Sequence, residues 1–314
     1  MSGLRGEDSL LNPRNLAAFV LVSLIWGGTW LVIRDQISTV PAQWSIAYRF
    51  IVAAVGMFAL AAIRREPLRL HPGGQMWAFV LGLMQFTLNF TFVYNAERFV
   101  TSGLVAVMFA LLVVPNAILG RLFLKQPITR RFVAGSAIAA IGVALLFAQE
   151  YRVSPAGLSE VLLGAGLTLA GILSASCANI AQAMDGARRQ PFIALLAWGM
   201  AWSVAINSAA ALATAGLPVV DLRPSYALGT IYLGLLGSVV TFPLYYGLVR
   251  KVGAGQAAYS SVVVPVIAMI LSTIFEGFAW GLLPAAGAVL VLGGMVVALK
   301  GRSAPPPRRA VPEP

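Results

Sequence analysis

Apolar residues follow one another along the chain in ten long stretches, separated by short links rich in Arg, Lys, Pro or Gly. Each stretch is close to the ~20 residues that an α-helix needs to cross the apolar core of a bilayer. The first lacks the small-residue cleavage pattern of a signal peptide, so we count it as a helix. The pattern predicts an all-α integral membrane protein with ten transmembrane helices, over residues 16–33, 43–63, 76–96, 101–120, 132–148, 158–183, 192–215, 226–249, 256–275 and 282–299.

The composition indicates a lipid bilayer as the surroundings and excludes several other classes. Hydrophobic residues make up 59% of the 314 residues, charged residues only 11%, and the mean hydropathy is +0.84. Soluble domains carry about 25% charged residues. The net charge of +11 does not indicate a nucleic-acid partner, because the basic residues lie at the ends of apolar stretches. The single cysteine, Cys177, excludes an internal disulfide and a cysteine-based metal site.

Lysine and arginine are distributed unequally between the two sides of the predicted bundle. Of the 22, seventeen fall in the N-terminus, the C-terminal tail and the links after helices 2, 4, 6 and 8. The links on the other side hold four, Arg34, Arg98, Arg152 and Arg223, and Arg49 lies within the second helix. Because basic loops stay in the cytoplasm, we expect a multi-pass protein of a bacterial-type inner (plasma) membrane with both termini cytoplasmic.

The two halves of the chain resemble each other. Each has a Val-Val-Pro sequence in its fourth helix, followed by a fifth helix rich in Gly and Ala. We therefore assign a first five-helix repeat to residues 1–150, a second to residues 151–300, and a disordered, Pro-rich cytoplasmic tail to residues 301–314. Because five is odd, the second repeat must be inverted relative to the first. Inverted repeats are typical of alternating-access transporters, which bind substrate near the middle of the membrane.

Four segments of the chain resemble the EamA-type branch of the drug/metabolite transporter superfamily. They are "LIWGGTWLVIR" in the first helix, "YRF" in the second, "VRKVGAGQAAYSSVVVPVIAMILSTIFEG" through the ninth and "GAVLVLGGMVVA" in the tenth. The resemblance covers nearly the whole chain. It implies ten helices in two inverted halves and export of small metabolites, often amino acids. The subgroup that the chain resembles is that of the aromatic amino acid exporters of the YddG type.

Arg49 places a positive charge within the second predicted helix, about 9 Å below its outer end. A charge at bilayer depth costs about 2.5–3.5 kcal/mol on insertion scales. The side chain can extend outward to the lipid headgroups, or it can face the protein interior, which the matching "YRF" of the family favours. An interior arginine holds helices together or touches substrate. We assign Arg49 a structural or gating role and leave contact with substrate open.

Amide side chains share a face on two of the predicted helices. Gln85 and Asn89 are four residues apart in the third helix, and Asn179 and Gln182 are three apart in the sixth. Amides within a membrane need hydrogen-bond partners, so they either join helices together or line a water-accessible cavity. Both interpretations stay open. If the four amides line a cavity, they bind the charged groups of a zwitterionic substrate.

Aromatic side chains recur in pairs, such as Trp26 with Trp30 in the first helix. The position of Trp30 near the outer end of the helix is typical of the aromatic residues that lie at the level of the lipid headgroups. The deeper rings either pack in the core or line a cavity for large apolar groups. On the cavity interpretation, the candidate substrate-binding residues besides the four amides are Trp26, Tyr48, Trp198, Trp202, Tyr245, Tyr246 and Met108.

A further set of residues is expected to shape or move the helices. Paired glycines permit close helix contact, and a proline within a helix removes a backbone hydrogen bond and favours a kink. These kinks either flex during gating or are static. An acid at the predicted outer end of the ninth helix is expected to anchor that end. The structural or gating candidates are, with Arg49, the residues Gly27, Gly28, Pro115, Pro243, Pro265 and Glu276.

No acidic residue lies in the middle of a predicted helix. Glu97 beside Arg98, and Asp35 beside Arg34, are expected to form ion pairs at the outer face. A proton relay or an exporter of cationic drugs would need a deep acid.

We therefore expect an exporter of amino acids, preferably aromatic or bulky hydrophobic ones, without a cofactor, metal or catalytic residue. A broad-specificity exporter of drugs or toxic metabolites is the alternative. An intramembrane enzyme is disfavoured, because the chain has no catalytic motif such as HExxH.

Overall fold

The computed structural model of the protein describes residues 10–153, 157–252, 257 and 259–300, without the side chains of Val153, Tyr246, Val249 and Arg250. All regular structure in these ranges is helical. The predicted tail at 301–314 lies outside the described residues. The long helices are α1 (Pro13–Gln36), α2 (Ala42–Ile63), α3 (Gly74–Ala96), α4 (Ser102–Leu124), α5 (Arg130–Val153), α6 (Leu158–Ala183), α7 (Phe192–Ala215), α8 (224–252), α9 (Ser260–Phe275) and α10 (Leu282–Lys300).

The length and apolar character of the helices agree with a membrane protein. Within the described ranges, nine helices, α1 to α8 and α10, are long and apolar enough to cross a membrane. The described part of α9 is apolar but has only 16 residues, and some residues before it lie outside the described ranges. The all-α membrane class is therefore confirmed, whereas ten complete crossings stay a prediction.

Local sequence signals explain where α1 begins. The side chain of Asn12 caps the helix, because its Oδ1 accepts a hydrogen bond from the backbone N–H of Arg14 at 3.1 Å. Pro13 occupies the first helical position, where a backbone N–H is not needed.

Three of the helices contain irregular turns near their middle. α3 and α8 each include a wide π-helical segment, Gly82–Leu88 and Tyr232–Val240, and α4 includes a short 3₁₀ segment, Ala110–Leu112. Pro115 and Pro243 lie three residues after the ends of two of these irregular segments, and neither proline can donate a hydrogen bond to the preceding turn. Pro265 instead lies inside α9. Bending of these helices during gating stays a prediction.

Helices in equivalent positions of the two halves pack against each other. α2 packs on α7, and α5 packs on α10. α3 of the first half contacts α6 and α7 of the second, and in the same way α8 of the second half contacts α1 and α2 of the first. The α5–α10 contact is close enough for backbones to touch. A Cβ added to Gly142 would lie 2.6 Å from the carbonyl oxygen of Gly287. Small residues permit this approach, which supplies packing energy that apolar helices in lipid otherwise lack.

Candidate functional site

A cavity of ≈1470 Å³ extends into the bundle from one face. Its lining includes residues of the links after α2, α4 and α6, namely Glu66, Gln126, Arg188 and Gln190. No described residue of the links after the odd-numbered helices lines it. We call the face with the links after even-numbered helices the basic face and the opposite one the distal face. The cavity thus opens at the basic face and ends within the membrane-spanning part of the bundle.

Aromatic rings form the walls at the deep end of the cavity. Trp26 packs on the rings of Phe242 and Tyr245, with centroids 5.8 and 5.2 Å away, and its indole Nε1 donates to the carbonyl of Gly237 at 3.3 Å. Trp30 packs on Phe109 at 5.1 Å. The assignment of Trp30 to the headgroup belt is corrected, because this side chain lines the cavity. The deep end therefore suits large apolar groups.

Amide side chains supply polar groups along the same cavity. Its lining includes all four predicted amides, Gln85, Asn89, Asn179 and Gln182. Asn179 Nδ2 donates to Asn116 Oδ1 at 3.3 Å, and Asn116 Oδ1 also accepts from Ser176 Oγ at 2.8 Å. Asn179 thus both joins α6 to α4 and lines the cavity. Sequence reasoning missed Asn116, although its position after Pro115 in an apolar helix was an available signal.

Arg49 lies at the deep end of the cavity and faces the protein interior. Its residue is 2% exposed and it forms part of the lining. The guanidinium lies 4.1 Å from the centroid of the Phe90 ring and 5.5 Å from that of Phe50. This burial excludes the alternative in which the side chain extends outward to the headgroups.

Four predicted binding residues lie away from the cavity. Tyr48 donates to the Val219 carbonyl near the distal face, and Met108 is buried in the core. Trp198 and Trp202 donate their indole N–H groups to Leu68 O and Gln75 Oε1 outside the cavity. Helical spacing identified a shared face but not the neighbour that covers it. The side chain of Tyr246 lies outside the described residues.

The paired glycines of α1 make close helix contacts. A Cβ on Gly27 would lie 2.5 Å from Ile267 Cγ2 of α9, and one on Gly28 would lie 2.8 Å from the Tyr232 hydroxyl of α8. Among the structural prolines, Pro265 also lines the cavity, whereas Pro115 and Pro243 do not.

Polar contacts connect the helices at the distal face. Glu276 at the end of α9 accepts hydrogen bonds from Ser102 at the start of α4 and pairs with Arg34 of α1 at 3.8 Å. The expected pair of Asp35 with Arg34 is wrong, since Asp35 pairs with Arg223 at 3.4 Å. Consecutive residues at a helix end point about 100° apart and so meet different neighbours.

Glu97 is fully buried beside this network. The expected pair with Arg98 is wrong, because Arg98 is exposed and both carboxyl oxygens of Glu97 have no hydrogen-bond partner among the described residues. Burial is the main cause that raises the pKa of Glu97 well above its ordinary value, and the nearby charge of Glu276 raises it further. Arg34 and Arg49 act in the opposite direction.

A helical membrane bundle with a deep, one-sided cavity is typical of membrane transporters. The sequence profile of the EamA-like transporter family matches residues 14–148 and again residues 161–300, so the chain belongs to this family. It is a transporter of small molecules rather than an enzyme.

Bacterial relatives and a solved structure agree with this assignment. Protein PagO of Salmonella typhimurium strain LT2 is 28% identical over 265 residues, which cover 83% of this chain and 84% of PagO. A protein named "Probable amino-acid metabolite efflux pump" from Escherichia coli strain K12 is 24% identical over 290 residues, which cover 90% of this chain and 93% of that protein. A solved crystal structure of a protein matches the fold with a TM-score of 0.66 and 19% identity, over 91% of this chain and 96% of the other.

Proposed function

We propose that the protein exports amino acids with large apolar side chains by alternating access between two inverted five-helix halves, 1–150 and 151–300. The observation that carries this proposal is the chemistry of the cavity, in which aromatic rings and amides line a space that is closed at one end. Such walls bind an apolar side chain by area burial and stacking, and amides bind ammonium and carboxylate groups. The relatives named as amino-acid metabolite efflux pumps support the same class of substrate.

The direction of transport follows from the positions of the charges. The basic face is the cytoplasmic face on the positive-inside rule, so the cavity opens to the cytoplasm and takes up substrate there. The packing of α2 on α7 and of α5 on α10 is the relationship that a pseudo-two-fold axis in the membrane plane requires. Rocking of the halves about this axis would close the basic face and open the distal one.

Export of cationic drugs fits the cavity less well. A drug cation needs an acidic partner within the membrane. Of the described acidic residues, only Glu66 lines the cavity, and it lies at the mouth rather than at the deep end. Neutral and zwitterionic substrates have no such requirement.

The experiment that tests the proposed function is counterflow in proteoliposomes, with the twenty amino acids and several cationic drugs as competitors. Competition by phenylalanine, tyrosine, leucine and methionine supports it, and competition by the cations alone contradicts it.

Two tryptophan variants provide a matched comparison in this assay. Trp26→Ala removes a cavity wall and should raise the half-saturating concentration of phenylalanine about tenfold. Trp202→Ala removes the same side chain from a position outside the cavity, and its half-saturating concentration should stay within about twofold of the wild-type value.

A further inference from the structure

Arg49 is a buried cation without an anionic partner among the described residues. The ion pairs of the described chain join Arg34 to Glu276 and Arg223 to Asp35 and Asp221, and none includes Arg49. Its Nε and Nη1 atoms also have no hydrogen-bond partner there. A charge that is removed from water without compensation is costly, so natural proteins pair such groups or use them at functional sites.

The aromatic neighbours of Arg49 compensate for only part of this cost. The rings of Phe90 and Phe50 attract the guanidinium through their π-faces. They offer no lone pair to its N–H groups, however, so the Nε and Nη1 donors stay unused, and Tyr94 is the one described side chain that hydrogen-bonds to the guanidinium. A planar guanidinium with free N–H groups matches the two oxygens of a carboxylate better than any other common anion in small metabolites except phosphate.

Two other unpartnered polar atoms belong to residues that line the same cavity. Trp30 Nε1 is a donor, Asn89 Oδ1 is an acceptor, and neither has a partner among the described residues. Together with Arg49, residues that line the cavity carry buried, unpartnered donors for an anionic group and an unpartnered acceptor for a cationic one. An α-amino acid presents these two groups one carbon apart.

We propose that Arg49 binds the carboxylate of the transported molecule, with Trp30 as a second donor, while Asn89 accepts a hydrogen bond from its ammonium group. This inference rests on the proposed function and adds the requirement for a carboxylate. It reassigns Arg49 from a structural element to a binding residue. The substrate provides the missing counter-ion, so a molecule of the same shape without a carboxylate leaves the guanidinium buried and unpaired.

The test compares four ligands that share a phenyl group. L-phenylalanine and 3-phenylpropanoate carry a carboxylate, whereas L-phenylalaninamide and 2-phenylethylamine do not. Binding to the purified full-length protein in detergent is followed by tryptophan fluorescence, since Trp26 and Trp30 line the cavity. We expect the two carboxylates to bind about 10- to 100-fold more tightly than the amide and the amine, because a site built around a charged donor rejects analogues that leave it unpaired.

Variants of Arg49 separate substrate contact from a structural role. Arg49→Gln should bring the affinities for phenylalanine and its amide within about threefold of each other, and Arg49→Lys should keep an intermediate preference. Arg98→Gln removes an exposed arginine of the distal face and should leave the wild-type preference unchanged. A purely structural Arg49 would change stability without changing the ratio of the two affinities.

The wild-type ligand series decides the proposal even where Arg49→Gln does not fold. Equal binding of the amide, the amine and phenylalanine overturns it, and so does a lack of binding by all four ligands. Failure of the proposed function gives a different result. Carboxylate-dependent binding without counterflow of any amino acid would uphold the role of Arg49 and contradict amino acid export. Counterflow of amino acids that phenylalaninamide inhibits as strongly as phenylalanine does would uphold amino acid export and contradict the role of Arg49.

Discussion

Glu276 at the end of α9 accepts two hydrogen bonds from Ser102 at the start of α4, from the backbone N–H at 3.3 Å and from Oγ at 2.6 Å. The same carboxylate pairs with Arg34 of α1. One acidic side chain therefore holds three helices together at the distal face, opposite the mouth of the cavity. These contacts stabilise the conformation in which the three helices are joined at the distal face and the cavity is open at the basic face.

Replacement of Glu276 by Ala should shift the protein toward a distal-open conformation. The change removes both acceptor atoms from Ser102 and the partner of Arg34, which corresponds to an about five- to tenfold change in the conformational equilibrium. The measurement is labelling of Asn89→Cys by an impermeant thiol reagent from the distal side, in a Cys177→Ser background. Glu160→Ala, at an exposed acid, is the control. Equal labelling in both variants would show that Glu276 does not hold this face closed.

Glu97 should make the structure described here sensitive to alkaline pH. Burial first, and then the charge of Glu276, raise the pKa of Glu97, so its carboxyl is neutral at pH values where a free glutamate is ionised. The sign follows from this shift. Below about pH 4.3, the ordinary pKa of glutamate, the carboxyl is neutral whether it is buried or exposed, so its burial carries no cost from ionisation. The conformation then loses stability as the pH rises from there through the raised pKa of Glu97.

The neutral isostere Glu97→Gln should remove this part of the pH dependence. The measurement is distal-side labelling of Asn89→Cys between about pH 5.5 and 8.5, with each rate divided by the rate of a small free thiol at the same pH, because the thiolate is the reactive form. This ratio should increase with pH when Glu97 is present and stay flat when Glu97→Gln is added. Glu160→Gln should behave like the parent. A pH dependence that persists in Glu97→Gln assigns the titration to another group.

Substitution in the α5–α10 contact should destabilise the fold, while a similar substitution elsewhere should not. A Cβ in Gly142→Ala would meet the Gly287 carbonyl oxygen at 2.6 Å, and overpacking of this kind costs about 1–3 kcal/mol. Gly166 in α6 has nothing within 4 Å of an added Cβ. Gly166→Ala should therefore be neutral or stabilising by up to about 1 kcal/mol, because alanine favours the helix. Thermal unfolding in detergent compares the two, and equal midpoints would contradict the close backbone contact.

Helix positions were predictable because they depend on local composition. The apolar stretches follow directly from bilayer thickness, and the predicted 192–215 has the same limits as the observed Phe192–Ala215. Polar residues on a shared face were also informative, since Gln85, Asn89 and Asn179 all line the cavity. An amide is costly enough in a membrane that its position carries information.

Contacts between distant helices could not be read from the sequence. Trp198 and Trp202 share a face, but only the packed structure shows that this face lies away from the cavity. The same reason explains the errors at the distal face, where adjacent charges of opposite sign suggested pairs. Arg34 instead pairs with Glu276 of α9, and Glu97 is buried without a hydrogen-bond partner among the described residues.

The central claim is a water-filled cavity that opens at the basic face and is walled by α3 and α6. The most direct test is labelling of single cysteines in a Cys177→Ser background with a hydrophilic, impermeant thiol reagent applied to the basic side. Asn179→Cys, in the cavity, should react and should be protected by phenylalanine. Val289→Cys, 70% exposed on the apolar outer surface of α10, should not react, because it faces lipid. An unreactive Asn179→Cys, or a Val289→Cys that reacts equally well, would contradict the account.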